Sequence, residues 1–144
     1  MGGNGLFSVS MEALSKNLSF LESSHRIIAN NIANADTPFY KARRAPSEEF
    51  RASLARAIES GGGGAGAMTL ASSEHVREVG GALEVTPVES RGEEAGVLRH
   101  DGNNVNLEKE MTALAENALM YRVMSDLLRK QYMMLQSAIR ERVD

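Results

Sequence analysis

Apolar residues return at alternating steps of four and three along two separate stretches of this chain. The first line is Phe7, Met11, Leu14, Leu18, Leu21, His25, Ile28 and Ile32, a heptad pattern with one polar member, His25. The second is Leu107, Met111, Leu114, Ala118, Tyr121, Ser125, Leu128, Tyr132, Leu135 and Ile139. The spacing predicts one long helix in each stretch. The first is expected to start with Ser8 or Ser10 as cap and to stop near Asn34 or Asp36. The second is expected to start at Asn106, a good capping residue with Glu108 and Glu110 just inside. Ala115, Leu119, Val123, Leu127, Met134 and Ala138 form another apolar stripe beside the second line. That helix therefore carries a wider apolar face than a two-stranded seam uses.

The middle of the chain is patterned more weakly. Phe50, Leu54 and Ile58 fall four apart, which predicts a short helix with Ser47 as cap and Glu48 and Glu49 in its first turn. The glycine run at 61–66 offers no side chains to pack and reads as a flexible loop. Segments 68–70 and 82–86 are short enough for strands, and Pro87 and Gly92 break the pattern after them. The expected architecture is all-α. Two long terminal helices pack as an antiparallel coiled-coil hairpin, and a long, loosely ordered middle segment holds the short helix and room for a small hairpin. The expected division is 1–40, 41–105 and 106–144.

Two stretches punctuate the helices. In the first, Asn30, Asn31 and Asn34 crowd the last turns, and Pro38 lacks the N–H that a continuing helix needs. Proline also pushes Thr37 into an extended conformation. Asn34 can satisfy backbone groups left open at a helix end, while Tyr40 offers a ring to bury and a hydroxyl to bond. In the second, Asp101-Gly102 and Asn103-Asn104 form a turn just before the second helix.

The segment ANNIANADTPFYKAR at 29–43 resembles the N-terminal signature of the bacterial flagellar rod, hook and hook-associated proteins. The match rests on Asn31, Ile32, Ala33, Asn34, Thr37, Pro38 and Tyr40. Phe39 departs from it, because the family usually carries glycine there. A positive φ at that place would strain phenylalanine. DGNNVNLEKEM at 101–111 and AENALMYRVMSDLL at 115–128 resemble the proximal rod members of the family, and LASSEHV at 70–76 does so more weakly. The resemblance implies a structural subunit of the flagellar basal body that assembles helically into the proximal rod and serves motility. It implies export through the flagellar type III apparatus without a cleaved signal, and a periplasmic place. The implied partners are other rod proteins, copies of this chain, and membrane-ring or export-gate proteins at the rod base. Asn31, Asn34, Thr37, Pro38 and Tyr40 become the expected assembly motif.

Composition leaves little room for chemistry. The net charge is −3 and no region is basic enough to suggest nucleic acid. Cysteine is absent, so there is no thiolate chemistry and no disulfide framework. His25, His75 and His100 lack ligand-like spacing. The glycine run is not followed by Lys-Ser/Thr, so it is no phosphate loop. Met111, Met120, Met124, Met133 and Met134 read as core filler. No nucleophile stands beside a base. The expectation is a chain without catalytic, cofactor or metal residues and without a small-molecule substrate. Residues 1–20 show no basic stretch followed by an apolar run, which taken alone points to the cytoplasm. A cytoplasmic helical adaptor or export chaperone is the alternative reading. An enzyme, such as a wall hydrolase, would need a carboxylate pair or metal site that the sequence does not offer.

Overall fold

The computed structural model describes residues 3–60, 68–91 and 97–140. The glycine run at 61–66 lies outside the described residues.

Helix α1 spans Gly3–Ala33, 31 residues. No proline or glycine interrupts residues 6–37, so nothing stops the helix earlier. It starts before the expected caps. Ser8 and Ser10 lie inside it, and the Ser10 hydroxyl donates across to Gln131 Oε1 at 2.8 Å. Strand β1 is Arg43–Arg44, and helix α2 is Ser47–Glu59. Ser47 opens α2 rather than capping it, and Pro46 precedes it without a side-chain cap bond. Strands β2 (Val76–Val79), β3 (Ala82–Val85) and β4 (Val88–Glu89) follow. Helix α3 spans Leu107–Arg140, 34 residues. Asn106 does cap it: its Oδ1 accepts the Lys109 N–H at 3.1 Å.

Helices α1 and α3 pack along each other in opposite directions. Ser10 meets Gln131, Glu22 accepts from the Tyr121 hydroxyl at 3.2 Å, and Asn31 is hydrogen-bonded to Glu110. Partners fall in number along α3 as they rise along α1, which is an antiparallel pair.

The chain is not all-α. β2 and β3 form an antiparallel hairpin in which Val79 faces Ala82. Gly80 and Gly81 connect them at φ +60 and +83, the doubly positive turn that matches strand twist. β1 pairs antiparallel with β4, Arg44 facing Val88. Residues 68–70 have no strand. Met68 and Leu70 instead bury their side chains in the core, at 2% and 3% exposure.

That core lies between α1, α2 and the hairpin, not between the two long helices. It contains Phe20, Phe50, Ala57, Met68, Leu70 and Val76. The rings of Phe20 and Phe50 stack with centroids 4.2 Å apart and planes 6° apart. Polar ties close its edge. Lys16 Nζ sits 2.6 Å from Glu78 Oε1, and Glu78 Oε2 accepts the Leu70 N–H at 2.9 Å. Glu12 accepts the Met68 N–H. Glu49 Oε2 accepts from the Ser73 hydroxyl at 2.8 Å, and Glu49 Oε1 lies 2.8 Å from His75 Nδ1. Segment 68–76 is thereby fastened to α1 and α2.

Candidate functional site

The two punctuation motifs meet. Asn34 and Asn103 are far apart in sequence, yet the end of α1 and the turn before α3 interlock through side-chain amides.

Asn103 is fully buried. Its Nδ2 reaches the carbonyls of Asn34 at 2.9 Å, Ala35 at 3.1 Å and Thr37 at 2.8 Å. Its Oδ1 accepts the Val105 N–H at 2.7 Å. Three carbonyls of the turn that follows α1 are thus collected by one amide from another part of the chain. Asn104 Oδ1 accepts the Ala42 N–H at 2.7 Å, Lys41 Nζ donates to Gly102 O at 2.6 Å, and Phe39 N–H donates to Asp101 O at 2.9 Å.

Asn31 is the second pivot and is also fully buried. Its Oδ1 accepts from the Tyr40 hydroxyl and from Arg43 N–H, both at 3.0 Å, and its Nδ2 donates to Arg43 O at 2.6 Å. Both backbone groups of β1's first residue are therefore held by a side chain of α1. Burial pushes the Glu110 carboxyl above its ordinary pKa, against the lowering effect of its bond to Asn31. Burial likewise raises the Tyr40 hydroxyl; the Arg43 charge opposes that rise and the Glu110 charge adds to it.

The expected assembly motif falls in this junction. Asn34 Nδ2 donates to Asn30 O at 2.8 Å, and the Thr37 hydroxyl donates to Asn34 Oδ1 at 3.2 Å. Tyr40 is half-buried, while Thr37 and Pro38 are exposed. Phe39 adopts φ +62, the left-handed region. Asn103 and Asn104 were absent from the expected motif. In the sequence they stand within the DGNNVNLEKEM resemblance and next to Asp-Gly, where they read as a local turn.

The apolar lines divide unevenly. Met11, Leu14, Leu18, Leu21, Ile28 and Ile32 of α1, with Leu114 and Leu128 of α3, are half-buried. Leu107, Met111, Tyr121, Tyr132, Leu135 and Ile139 are exposed, as is His25. Phe7 lies in α1, and its side chain is outside the described residues. On α3 the positions turned inward are Glu110, Ala113, Leu114, Asn117, Met124, Ser125, Leu128 and Gln131. Leu119, Val123, Leu127 and Met134 of the neighbouring stripe stand in solvent. Among the described residues no group of three or more His, Cys, Asp or Glu could hold a metal ion. No described helix is long and apolar enough to cross a membrane.

A long helical pair, locked at one end by amides and carrying an uncovered apolar stripe, defines a class: a helical subunit whose distinctive residues position chain. Comparison with known proteins narrows the class. No family model matches the chain. The flagellar basal body rod protein FlgB of Salmonella typhimurium is 37% identical over 98 residues, 67% of this chain and 68% of that one. The FlgB of Cereibacter sphaeroides is 33% identical over 123 residues, 83% of this chain and 84% of that one. The FlgB of Bacillus subtilis is 26% identical over 134 residues, covering 93% and 95%. The chain belongs to the flagellar basal body rod protein FlgB family. It is a structural subunit of the basal body rod.

Proposed function

We propose that this subunit occupies the proximal part of the rod, with 1–40 and 106–144 packing as a coiled-coil hairpin and 41–105 filling the space beside it. The observation that carries this reading is the junction, because it fixes the direction in which the middle segment leaves the helical pair. Asn103 ties the end of α1 to the start of α3, and Asn31 ties β1 to α1. Asn31, Asn34, Thr37, Pro38 and Tyr40 serve assembly through this geometry rather than through a reaction. Leu119, Val123, Leu127 and Met134 supply apolar surface for neighbouring subunits, whether copies of this chain or other rod proteins. The rod base would meet the inner-membrane ring or the export gate. The subunit would reach the periplasm through the flagellar type III apparatus, without a cleaved signal.

Microscopy of purified basal bodies carrying a tag on this chain tests the reading. Label at the membrane-proximal end of the rod is expected. Label confined to the cytoplasm, or along the distal rod, would overturn it.

A further inference from the structure

The open stripe of α3 has the same order from either end. Its middle line is Glu116, Leu119, Val123, Leu127 and Lys130, all exposed. Val123 stands about a third of a turn round the helix from the buried Asn117, so the line faces away from α1. Leu119 precedes Val123 by four positions and Leu127 follows it by four; Glu116 precedes it by seven and Lys130 follows by seven. Opposite charges therefore sit at equal distances from an apolar centre, about 10 Å each way at 1.5 Å per residue. Glu116 and Lys130 make no ion pair among the described residues. Met120, 52% exposed, widens the centre beside Leu119.

Such an order is complementary to itself turned end for end. Laid antiparallel on a second copy, Val123 meets Val123, Leu119 meets Leu127, and Glu116 meets Lys130, the last two contacts each made twice. Laid parallel in register, Glu116 would face Glu116 and Lys130 would face Lys130, which like charge disfavours. Sliding the antiparallel pair by one heptad sets Glu116 or Lys130 against Val123 and removes water from a charge without a partner. The other charges of this part of α3 agree with the first register. Asp126 comes alongside Arg122 of the other copy, on the flank away from α1. Arg129 lies about a third of a turn from Val123 and clears the contact. Lys109, beyond Glu116, comes level with Ser137.

We propose that two copies of this chain pair antiparallel through this stripe, centred on Val123. A two-fold pair closes on itself and cannot extend into an array. It covers, in subunits outside the rod, the apolar surface that the rod reading offers to neighbours. The contact itself does not rest on that reading, because it forms between purified chains. One stripe four turns long makes a small interface, so the chain is single in dilute solution and paired at about 100 µM and above.

Sedimentation of the purified full chain, at concentrations on either side of about 100 µM, tests the pairing. A shift from one chain to two is expected, and a single chain throughout would overturn the proposal. Glu116→Lys and Lys130→Glu should each weaken pairing about tenfold, because each sets like charges opposite at two points. The double exchange should restore the parent's pairing, and so should an equal mixture of the two single variants. No response to the single exchanges, or a double variant weaker than either, would overturn the register. The chain has no cysteine, so a single introduced one reports direction. Under diamide, Val123→Cys is expected to link to its own copy, while Met134→Cys, whose two copies lie about 33 Å apart along the pair, is not. Equal linking at both positions, or linking at neither, would overturn the antiparallel arrangement. None of these measurements uses basal bodies, so this contact and the rod reading fail separately.

Discussion

Remove the Asn103 amide, and the carbonyls of Asn34, Ala35 and Thr37 lose a donor while Val105 N–H loses its acceptor. The carbonyls keep Thr37 N–H, Arg99 and Tyr40 N–H as donors, so Asn103→Ala is expected to cost about 1–3 kcal/mol, the cost of leaving the buried Val105 N–H unsatisfied. Pro38 is exposed, and the carbonyls nearby are already collected by Asn103. Pro38→Ala should therefore cost only about 0.4–1 kcal/mol, through the freedom returned to the unfolded chain. Urea unfolding of the two variants checks the ranking, and a larger loss for Pro38→Ala would show that proline stops the helix by itself. Gly102→Ala is expected to cost about 1–3 kcal/mol, because φ is +76 there and the new Cβ would meet the Phe39 ring at 2.8 Å. Adding Phe39→Ala should recover the packing share and leave the φ share, which a double-mutant cycle in thermal unfolding resolves. The N-terminal half of this site was legible, because Asn31, Asn34 and Tyr40 stand in a recognisable order. Asn103 was not. An asparagine beside Asp-Gly looks like a local turn former, and no spacing rule shows that its amide reaches the end of another helix.

At the scale of elements, α1 has two working faces and only one was visible in hydrophobic spacing. The unseen line runs through Val9, Ala13, Lys16, Phe20, Ser23, Ile27 and Asn31. Its polar members break the apolar pattern, yet Lys16 and Asn31 are paired with groups from the middle segment. The hairpin was half legible: segment 82–86 reads as a strand, whereas its partner Val76–Val79 carries Arg77 and Glu78 and depends on Gly80-Gly81 to fold back. Ion pairs hold these elements together, so their joint should respond to acid. Burial works against charge on Glu78, but the Lys16 hydrogen bond, the Leu70 N–H and the Lys16 charge outweigh it and hold its pKa below the ordinary value. Bonds from Ser73 and His75 lower that of Glu49. Both carboxyls titrate lower folded than unfolded. Their contribution is complete above the unfolded value of about 4.3 and is lost as pH falls through the lower folded values. Glu110 runs the opposite way. Its pKa is raised, so its contribution is complete below the unfolded value and is lost as pH rises through the folded one. Urea midpoints between neutral and strongly acid pH should therefore fall on the acid side, and Glu78→Gln should flatten that fall. An unchanged slope in the variant would remove Glu78 from the account.

For the whole molecule, the decisive feature is how little of α3 its own chain covers. Of the long helix, Asn117 alone among the described residues is buried, and Leu119, Val123 and Leu127 are 64%, 43% and 45% exposed. Sequence spacing showed the width of that face. It could not show which of two adjacent stripes turns toward α1, because a shift of one position moves a residue about a quarter of a turn round the helix. The packing turns in a face that coincides with neither: Leu114, Ser125 and Leu128 of the first line are half-buried together with Glu110, Ala113, Met124 and Gln131, while the rest of that line and the neighbouring stripe are open. This predicts two kinds of damage from one kind of substitution. Leu127→Asp places a charge already in water, so the isolated subunit should change by less than about 0.5 kcal/mol. In the assembled rod the same charge would be desolvated without a partner, which costs several kcal/mol. Leu128→Asp should instead destabilise the subunit itself. Circular dichroism and melting of the purified chains, set beside the amount recovered in basal bodies, distinguish the two. Leu127→Asp should melt like the parent and be missing from the rod, with motility lost. Leu128→Asp should melt lower and be missing as well. Normal swimming with Leu127→Asp would show that this stripe faces solvent in the rod too, and the burial that completes α3 would have to come from elsewhere.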